Sequence, residues 1–278
     1  MIIAEKPFDE LGRAPELYIE AARRFRERVR PLDPAERFSY ADALRKAGRI
    51  EEAAGIFRSC GEKGEFFASR LSGLDCEVFS EMRQGPCPAP IVLLPGFLAS
   101  DEKEGLMNFF LGHEREFTRA PDGLGGYDPA VRNNLELAGS RSVKQPFREK
   151  IIGALPRIFR RMGIDPFQPK KIEVKLRAYR DRQYFRIHAD AEAGRRLTFV
   201  YHFFGEKSYD GGDLLVFDTA ADGKTYSRDF TRLVPRDNCL CFFPSFYYHA
   251  VTPVVSGEDF RSARFAVNGH VSADYEIL

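Results

Sequence analysis

The sequence predicts a mixed α+β protein: a helical N-terminal region, then an antiparallel sandwich or barrel with helices packed on one side. Three observations predict it. Apolar residues recur at helical spacing before residue 65, period-two segments separated by turn signals dominate after Lys171, and a Pro/Gly-rich stretch lies between (Gln84 to Pro90, QGPCPAP). That stretch divides the chain into a helical part over 1–84 and a larger domain over 91–278. The 278 residues, 44% of them hydrophobic, suffice for a sizeable core.

In the first part, Leu17, Ala21, Phe25 and Val29 mark one face of a helix over Pro15 to Arg30. The run Arg23 to Arg30 reads as its solvated side. Asp33 caps a second helix opened by Pro34, with Phe38, Ala41 and Leu44 to Ala47 as its stripe. Gly48 punctuates, Ile50, Ala53, Ala54 and Phe57 form the next stripe, and Gly61 and Gly64 are expected to end it. Tyr40 to Arg58 resembles one tetratricopeptide hairpin. A solenoid needs about three such repeats, so the segment reads either as a docking surface or as an ordinary hairpin packed on the main domain.

In the second part, Ile91 to Leu94 reads as a strand and Ser100 to Gly112 as a helix, with Ser100 its cap and Lys103 where a capping box wants an acid. Arg119 to Gln145 is loop-like, and its stretch from Ala120 could serve as a lid. A helix follows from Pro146 to Met162, whose basic end, Arg157 to Arg161, suits a helix C-terminus. Strands are expected at Lys171–Tyr179, Tyr184–His188, Arg196–Phe204, Asp213–Phe217, Thr231–Val234, Asn238–Phe243 and Arg264–Val271.

Composition excludes little but is consistent. The net charge of +1 gives no reason to invoke nucleic acid or a membrane surface, and no apolar run is long enough to span a bilayer. Met1 to Glu10 lacks a signal-peptide pattern. Five cysteines (Cys60, Cys76, Cys87, Cys239, Cys241) without a CxxC pair suggest reduced thiols and a cytoplasmic protein. Cys239 and Cys241 alternate on what reads as an inner strand face.

The chemistry concentrates in the strands. His188-Ala189-Asp190 ends a strand, and residues two apart on extended chain point the same way. His249 follows the run CLCFFPS, and the interval from Asp190 leaves room for roughly four short strands. Two His and one carboxylate on one face of a metal form the facial triad of non-haem iron(II) oxygenases, which leaves positions open for a chelating cosubstrate and dioxygen. Arg264, opening RFAVNGHV, can bind a carboxylate in bidentate fashion. Arg261 is its rival, and their odd spacing allows only one to point inward.

In order, the pieces YRDRQYFRIHAD, RRLTFVYHFF, YDGGDLLVFD, LVPRDNCLCFFPS, HAVTPV and RFAVNGHV resemble the prolyl 4-hydroxylase-like branch of the iron(II)/2-oxoglutarate dioxygenases, from about Ile91 onward. The resemblance implies a double-stranded β-helix (jelly-roll) core. It implies iron(II) on His188, Asp190 and His249, and 2-oxoglutarate on Arg264, with a further contact from Tyr179. His202 stands where many relatives carry Tyr, and reads as a second cosubstrate contact or as a hydrogen-bonded barrel residue. His270 stands where Trp is common and reads as structural. Tyr247 and Tyr248 flank His249 at the entrance or in packing.

The implied reaction couples decarboxylation of 2-oxoglutarate by dioxygen to hydroxylation, with ascorbate as an accessory reductant. The expected substrate is a prolyl or other residue of a peptide or protein. A small-molecule oxygenase and a non-catalytic jelly-roll sensor or binding module remain as alternatives. The complete triad argues against the latter, since a binding module has no need of an open iron site.

Overall fold

A computed structural model describes residues 8–28, 31–71, 86–121, 128–220 and 224–273. Four helices come first: α1 (Phe8–Arg26), α2 (Pro34–Lys46), α3 (Ile50–Phe57) and α4 (Gly61–Leu71). The α2 start is as its sequence dictates. Asp33 accepts from the Glu36 N–H, and the Glu36 carboxylate accepts from the Asp33 N–H, closing a capping box. Gly48, at φ +87°, makes the turn between α2 and α3.

Two expectations are corrected here. Helix α1 begins earlier and ends earlier than the predicted helix, and Leu17 is 70% exposed while Ala22 is buried. The buried face is therefore rotated by about one residue, towards Tyr18, Ala22 and Phe25. Val29 lies outside the described residues. Gly61 and Gly64 do not end the helical part: α4 runs through both. A β-carbon at position 64 would sit 2.1 Å from the Phe57 carbonyl oxygen, so glycine there allows α4 to pack against the end of α3.

The remaining elements are β1 (Val92–Pro95), α5 (Ser100–Gly112), β2 (Thr118–Arg119), β3 (Arg132–Asn133), β4 (Leu135–Leu137), α6 (Arg141–Met162), β5 (Lys171–Tyr179), β6 (Tyr184–His188), β7 (Arg195–His202), β8 (Tyr209–Gly211), β9 (Leu214–Thr219), β10 (Tyr226–Leu233), β11 (Cys239–Pro244), β12 (His249–Val251), β13 (Val254–Ser256) and β14 (Arg264–Ser272). The cap of α5 is Ala99 rather than Ser100, and Glu102 accepts the Ala99 N–H at 2.8 Å. Helix α6 starts five residues before Pro146 and carries Pro146 and Pro156 inside it, at the loss of one backbone donor each.

The strands form two antiparallel sheets facing one another. The larger has the order β1-β11-β7-β14-β5-β4-β2 and the smaller β10-β9-β12-β6-β3; β13 and β8 make a separate pair. The outer face of the large sheet (Leu176, Phe199, Tyr201, Phe242, Val267) packs on α5 and α6 through Phe110, Phe147, Ile151 and Leu155. Its inner face meets the small sheet, and residues of α2, α3 and α4 join that same apolar cluster. Arg45 of α2 is buried and holds both oxygens of Asp218 on β9, at 2.6 and 2.9 Å. The hairpin of α2 and α3 thus packs on the sheet. Among the described residues no helix is long and apolar enough to cross a membrane.

Candidate metal centre

Strand β6 ends at His188 and β12 begins at His249, and the two residues are direct partners in the antiparallel ladder. Their rings lie 4.1 Å apart. Asp190, two residues beyond β6, is fixed by its N–H donating to the Ser245 carbonyl at 2.9 Å. One ligand atom from each of His188, Asp190 and His249 lies within 4.8 Å of the others.

The tautomers follow from the backbone. His188 Nδ1 is 2.8 Å from the Arg186 carbonyl oxygen, and His249 Nδ1 is 3.1 Å from that of Tyr247. A carbonyl only accepts, so each Nδ1 carries a proton, which leaves each Nε2 as the ring atom turned to the site. Both Nε2 atoms face a carboxylate: His249 Nε2 is 3.2 Å from Asp190 Oδ2, and His188 Nε2 is 3.8 Å from Oδ1. Burial and the neighbouring His249 hold His188 well below its ordinary range, hence neutral. Burial opposes the charge of Asp190, yet the facing His249, His270 and His188 outweigh it and hold its carboxyl well below the usual range. Two imidazole Nε2 atoms and one carboxylate, converging on one point, are a donor set that a divalent cation satisfies. Phe185 stacks on His188 at 3.7 Å and Phe243 meets His249 edge-on at 4.9 Å, fixing both rings.

The site opens into a cavity of about 200 Å³ between the sheets. Arg264, 1% exposed, reaches it from the first position of β14. Its Nε donates to the Gly212 carbonyl at 2.6 Å, its Nη2 lies 2.7 Å from His202 Nε2, and its guanidinium carbon sits 4.7 Å from the Tyr179 ring centre. Tyr179 is the ladder partner of Arg264 and also faces the cavity. Arg261 is exposed in a 3-10 turn, Phe260–Ser262, before the strand begins. His202 does not line this cavity; it stands behind Arg264. Tyr247 is buried and Tyr248 half-buried.

Sequence reasoning missed four contributors. Thr198 Oγ donates to Asp190 Oδ2 at 3.1 Å and shares a hydrogen bond with Ser245 at 3.0 Å. His270 does more than pack: its Nδ1 lies 3.6 Å from Asp190 Oδ2 and the residue lines the cavity. Lys175 and Arg177 share the inward face of β5 with Tyr179. Period two, applied backwards from Tyr179, would have found them.

Residues 174–272 match the 2OG-Fe(II) oxygenase superfamily. This segment belongs to that superfamily. An uncharacterized PKHD-type hydroxylase, sll0191 of Synechocystis sp., is 36% identical over 132 residues, covering 45% of this chain. The chain spans 44% of that relative's length. Among solved structures, a Pseudomonas putida prolyl-4-hydroxylase aligns with 66% of this chain and 92% of its own, at 20% identity and a TM-score of 0.51. A Trichoplax adhaerens prolyl hydroxylase, in complex with a hypoxia inducible factor oxygen degradation domain peptide fragment, aligns with 66% and 83%, at 14% identity and a TM-score of 0.51. These two share the fold. The 2OG-Fe(II) oxygenases use iron(II) and 2-oxoglutarate, and the His-Asp-His donor set of this segment fits such an iron.

Proposed function

We propose that the protein is an iron(II)- and 2-oxoglutarate-dependent dioxygenase that hydroxylates a prolyl or other residue of a peptide or protein. One observation carries the reading: two backbone-fixed imidazoles and a carboxylate bring their ligand atoms within 4.8 Å of one another inside a cavity that also holds a buried arginine. In this reading His188, Asp190 and His249 hold iron(II). Arg264 binds the distal carboxylate of 2-oxoglutarate, Tyr179 contacts the cosubstrate, and His202 acts through Arg264. Iron(II) with 2-oxoglutarate supplies the dioxygen activation when bound.

The chain's own residues perform the rest. The Arg186 and Tyr247 carbonyls keep Nδ1 protonated and Nε2 available. Thr198 holds the Asp190 carboxylate in its rotamer. Leu214, Val200 and Val251 line the cavity with apolar surface that limits water.

The larger unit, 91–278, is proposed to be the jelly-roll dioxygenase domain, and 1–84 a helical appendage docked on it. The free, largely buried Cys239 and Cys241 support a reducing, cytoplasmic setting. The peptide bound to the Trichoplax adhaerens enzyme supports a peptide substrate for the shared fold.

Succinate formation from 2-oxoglutarate, by anaerobically purified protein given iron(II) and then oxygen, tests the proposal. Turnover lost in His188→Ala and Arg264→Ala is the expected result. Absence of both iron(II) and 2-oxoglutarate binding in the wild-type protein would overturn it in favour of a non-catalytic binding module.

A further inference from the structure

Behind Arg264, away from the cavity, a run of buried contacts leads to the helical hairpin. The Gly212 carbonyl holds Arg264 Nε at 2.6 Å. That carbonyl shares one peptide plane with the Asp213 N–H, which donates to Thr252 Oγ at 2.9 Å. Gly211 and Gly212, at φ +66° and +64°, have little backbone preference of their own, so outside contacts set where the plane lies. One such contact comes through the Asp213 side chain. Its Oδ2 accepts from Arg232 Nη1 at 2.7 Å, and Arg232 Nε donates to the Lys46 carbonyl at 2.9 Å. Lys46 ends α2, and the carbonyls of a last helical turn lack intrahelical donors and favour a cation. Arg232 is 1% exposed, so it bridges hairpin and Asp213 inside the protein. Beside it, Thr231 Oγ accepts from Arg45 Nη1 at 3.2 Å, on the guanidinium that holds Asp218.

The other support of Arg264 leads to the same place. His202, whose Nε2 lies 2.7 Å from Arg264 Nη2, lines a small cavity of about 20 Å³ together with Gly48 and Ile50 of the hairpin. Leu233 of β10 and Val234 line it too. A β-carbon at Gly48 would come 2.7 Å from Val234 Cγ2 and 3.5 Å from Arg232 Cδ, so the α2–α3 turn lies directly against Arg232. Among the described residues that line the metal cavity there is neither Arg232 nor any residue of the hairpin.

We infer that Arg232 is a positioning residue for cosubstrate binding: anchored on the C-terminal carbonyl of α2, it fixes the Gly212–Asp213 peptide that carries Arg264, so that affinity for 2-oxoglutarate depends on the helical hairpin. The inference rests on the dioxygenase reading and on Arg264 as the arginine that binds the distal carboxylate. A guanidinium meets a carboxylate with two parallel hydrogen bonds only when its plane is set correctly. Setting that plane beforehand removes an ordering cost from binding. The hairpin is then more than a packed appendage, because it supports the berth of the cosubstrate arginine from behind. Its effect falls on the distal carboxylate and not on the metal, whose ligands Arg232 does not reach.

The test is calorimetric and needs no turnover. The full chain, loaded with manganese(II), is titrated with N-oxalylglycine, an inert 2-oxoglutarate analogue, and with oxamate, which has the same chelating head but no distal carboxylate. Absence of N-oxalylglycine binding to the wild-type protein overturns the dioxygenase reading and this inference with it. Where the wild type binds, Arg232→Met should lower N-oxalylglycine affinity about tenfold, the worth of one misaligned charge-assisted contact, with oxamate and manganese(II) affinities retained. Arg232→Lys keeps the charge and should recover part of the loss. Should Arg232→Met fail to fold, Arg232→Lys gives the same comparison with a smaller selective loss. Gly48→Ala crowds Arg232 from the hairpin side and should show the selective loss too. Leu155→Ala, in α6 behind the large sheet, destabilises the fold away from this path and should change neither affinity. Unchanged N-oxalylglycine affinity in both Arg232 variants, a parallel loss of N-oxalylglycine and oxamate, or a selective loss in Leu155→Ala overturns the inference. A selective loss in the Arg232 variants with none in Gly48→Ala overturns the hairpin's share of it.

Discussion

His202 Nε2 accepts a hydrogen bond from Arg264 Nη2 at 2.7 Å, so the imidazole beside the guanidinium must be neutral. Burial and the Arg264 charge hold His202 well below its ordinary range. The histidine fixes the guanidinium without facing the cavity itself. His202→Leu leaves a buried donor unpaired, which costs about 1–3 kcal/mol. We expect the KM for 2-oxoglutarate to rise about tenfold, with the iron(II) affinity unchanged; steady-state kinetics with a metal titration measures both.

Gly212 forms the other wall of that arginine's berth. At φ +64° it accepts the Arg264 Nε hydrogen bond, and a β-carbon there would come within 2.4 Å of Arg264 Cδ. Gly212→Ala is both strained and obstructive. Weakening of N-oxalylglycine binding by more than about tenfold, with the fold retained by circular dichroism, is the expected outcome.

Thr198 supports Asp190, the proposed carboxylate ligand. Thr198→Val removes the hydroxyl that donates to Asp190 Oδ2 while keeping the shape of the side chain. Supporting partners of this kind are worth about 10–100-fold in metal affinity. Manganese(II) binding followed by electron paramagnetic resonance should weaken within that range, and equal affinity would remove Thr198 from the site.

Acid should destabilise the protein through its buried neutral histidines. Burial pushes His270 down to about 4 from an ordinary 6.5, and His202 also lies well below 6.5. Between those values the unfolded chain binds more protons than the folded one, so stability falls as pH is lowered from 6.5. Each such histidine contributes about 1.4 kcal/mol per pH unit. Urea unfolding of the metal-free protein at intervals from neutral pH to about pH 5 should show the decline, and His270→Asn should make it shallower.

The docking of the helical hairpin rests on Arg45 and Asp218, each 1% exposed. Arg45→Met strands a buried carboxylate and should cost about 3–5 kcal/mol. The double variant Arg45→Met with Asp218→Leu should recover much of that loss, read from urea midpoints.

Much of this was legible from periodicity. Lys171–Tyr179 and Tyr184–His188 were placed to the residue because alternation and flanking turn signals agree there. The triad was legible because His-x-Asp at a strand end aims both side chains one way. Helix α4 was not, since Gly61 and Gly64 look like terminators until the close approach to Phe57 is known. The two- and three-residue strands, including the one that carries His249, are too short to show a period.

The sequence by itself determined the order of the longer helices and strands after Lys171 and the three metal-ligand candidates. Local propensity and side-chain period act along the chain and need no partner. The tertiary structure alone decided that Arg264 is inward and Arg261 exposed, that His202 serves Arg264, that Thr198 and His270 flank Asp190, and that Lys175 and Arg177 share the cavity with the triad. Those facts depend on which strands become neighbours across the gap between two sheets, and burial and charge compensation at that gap exist only once the sheets have closed.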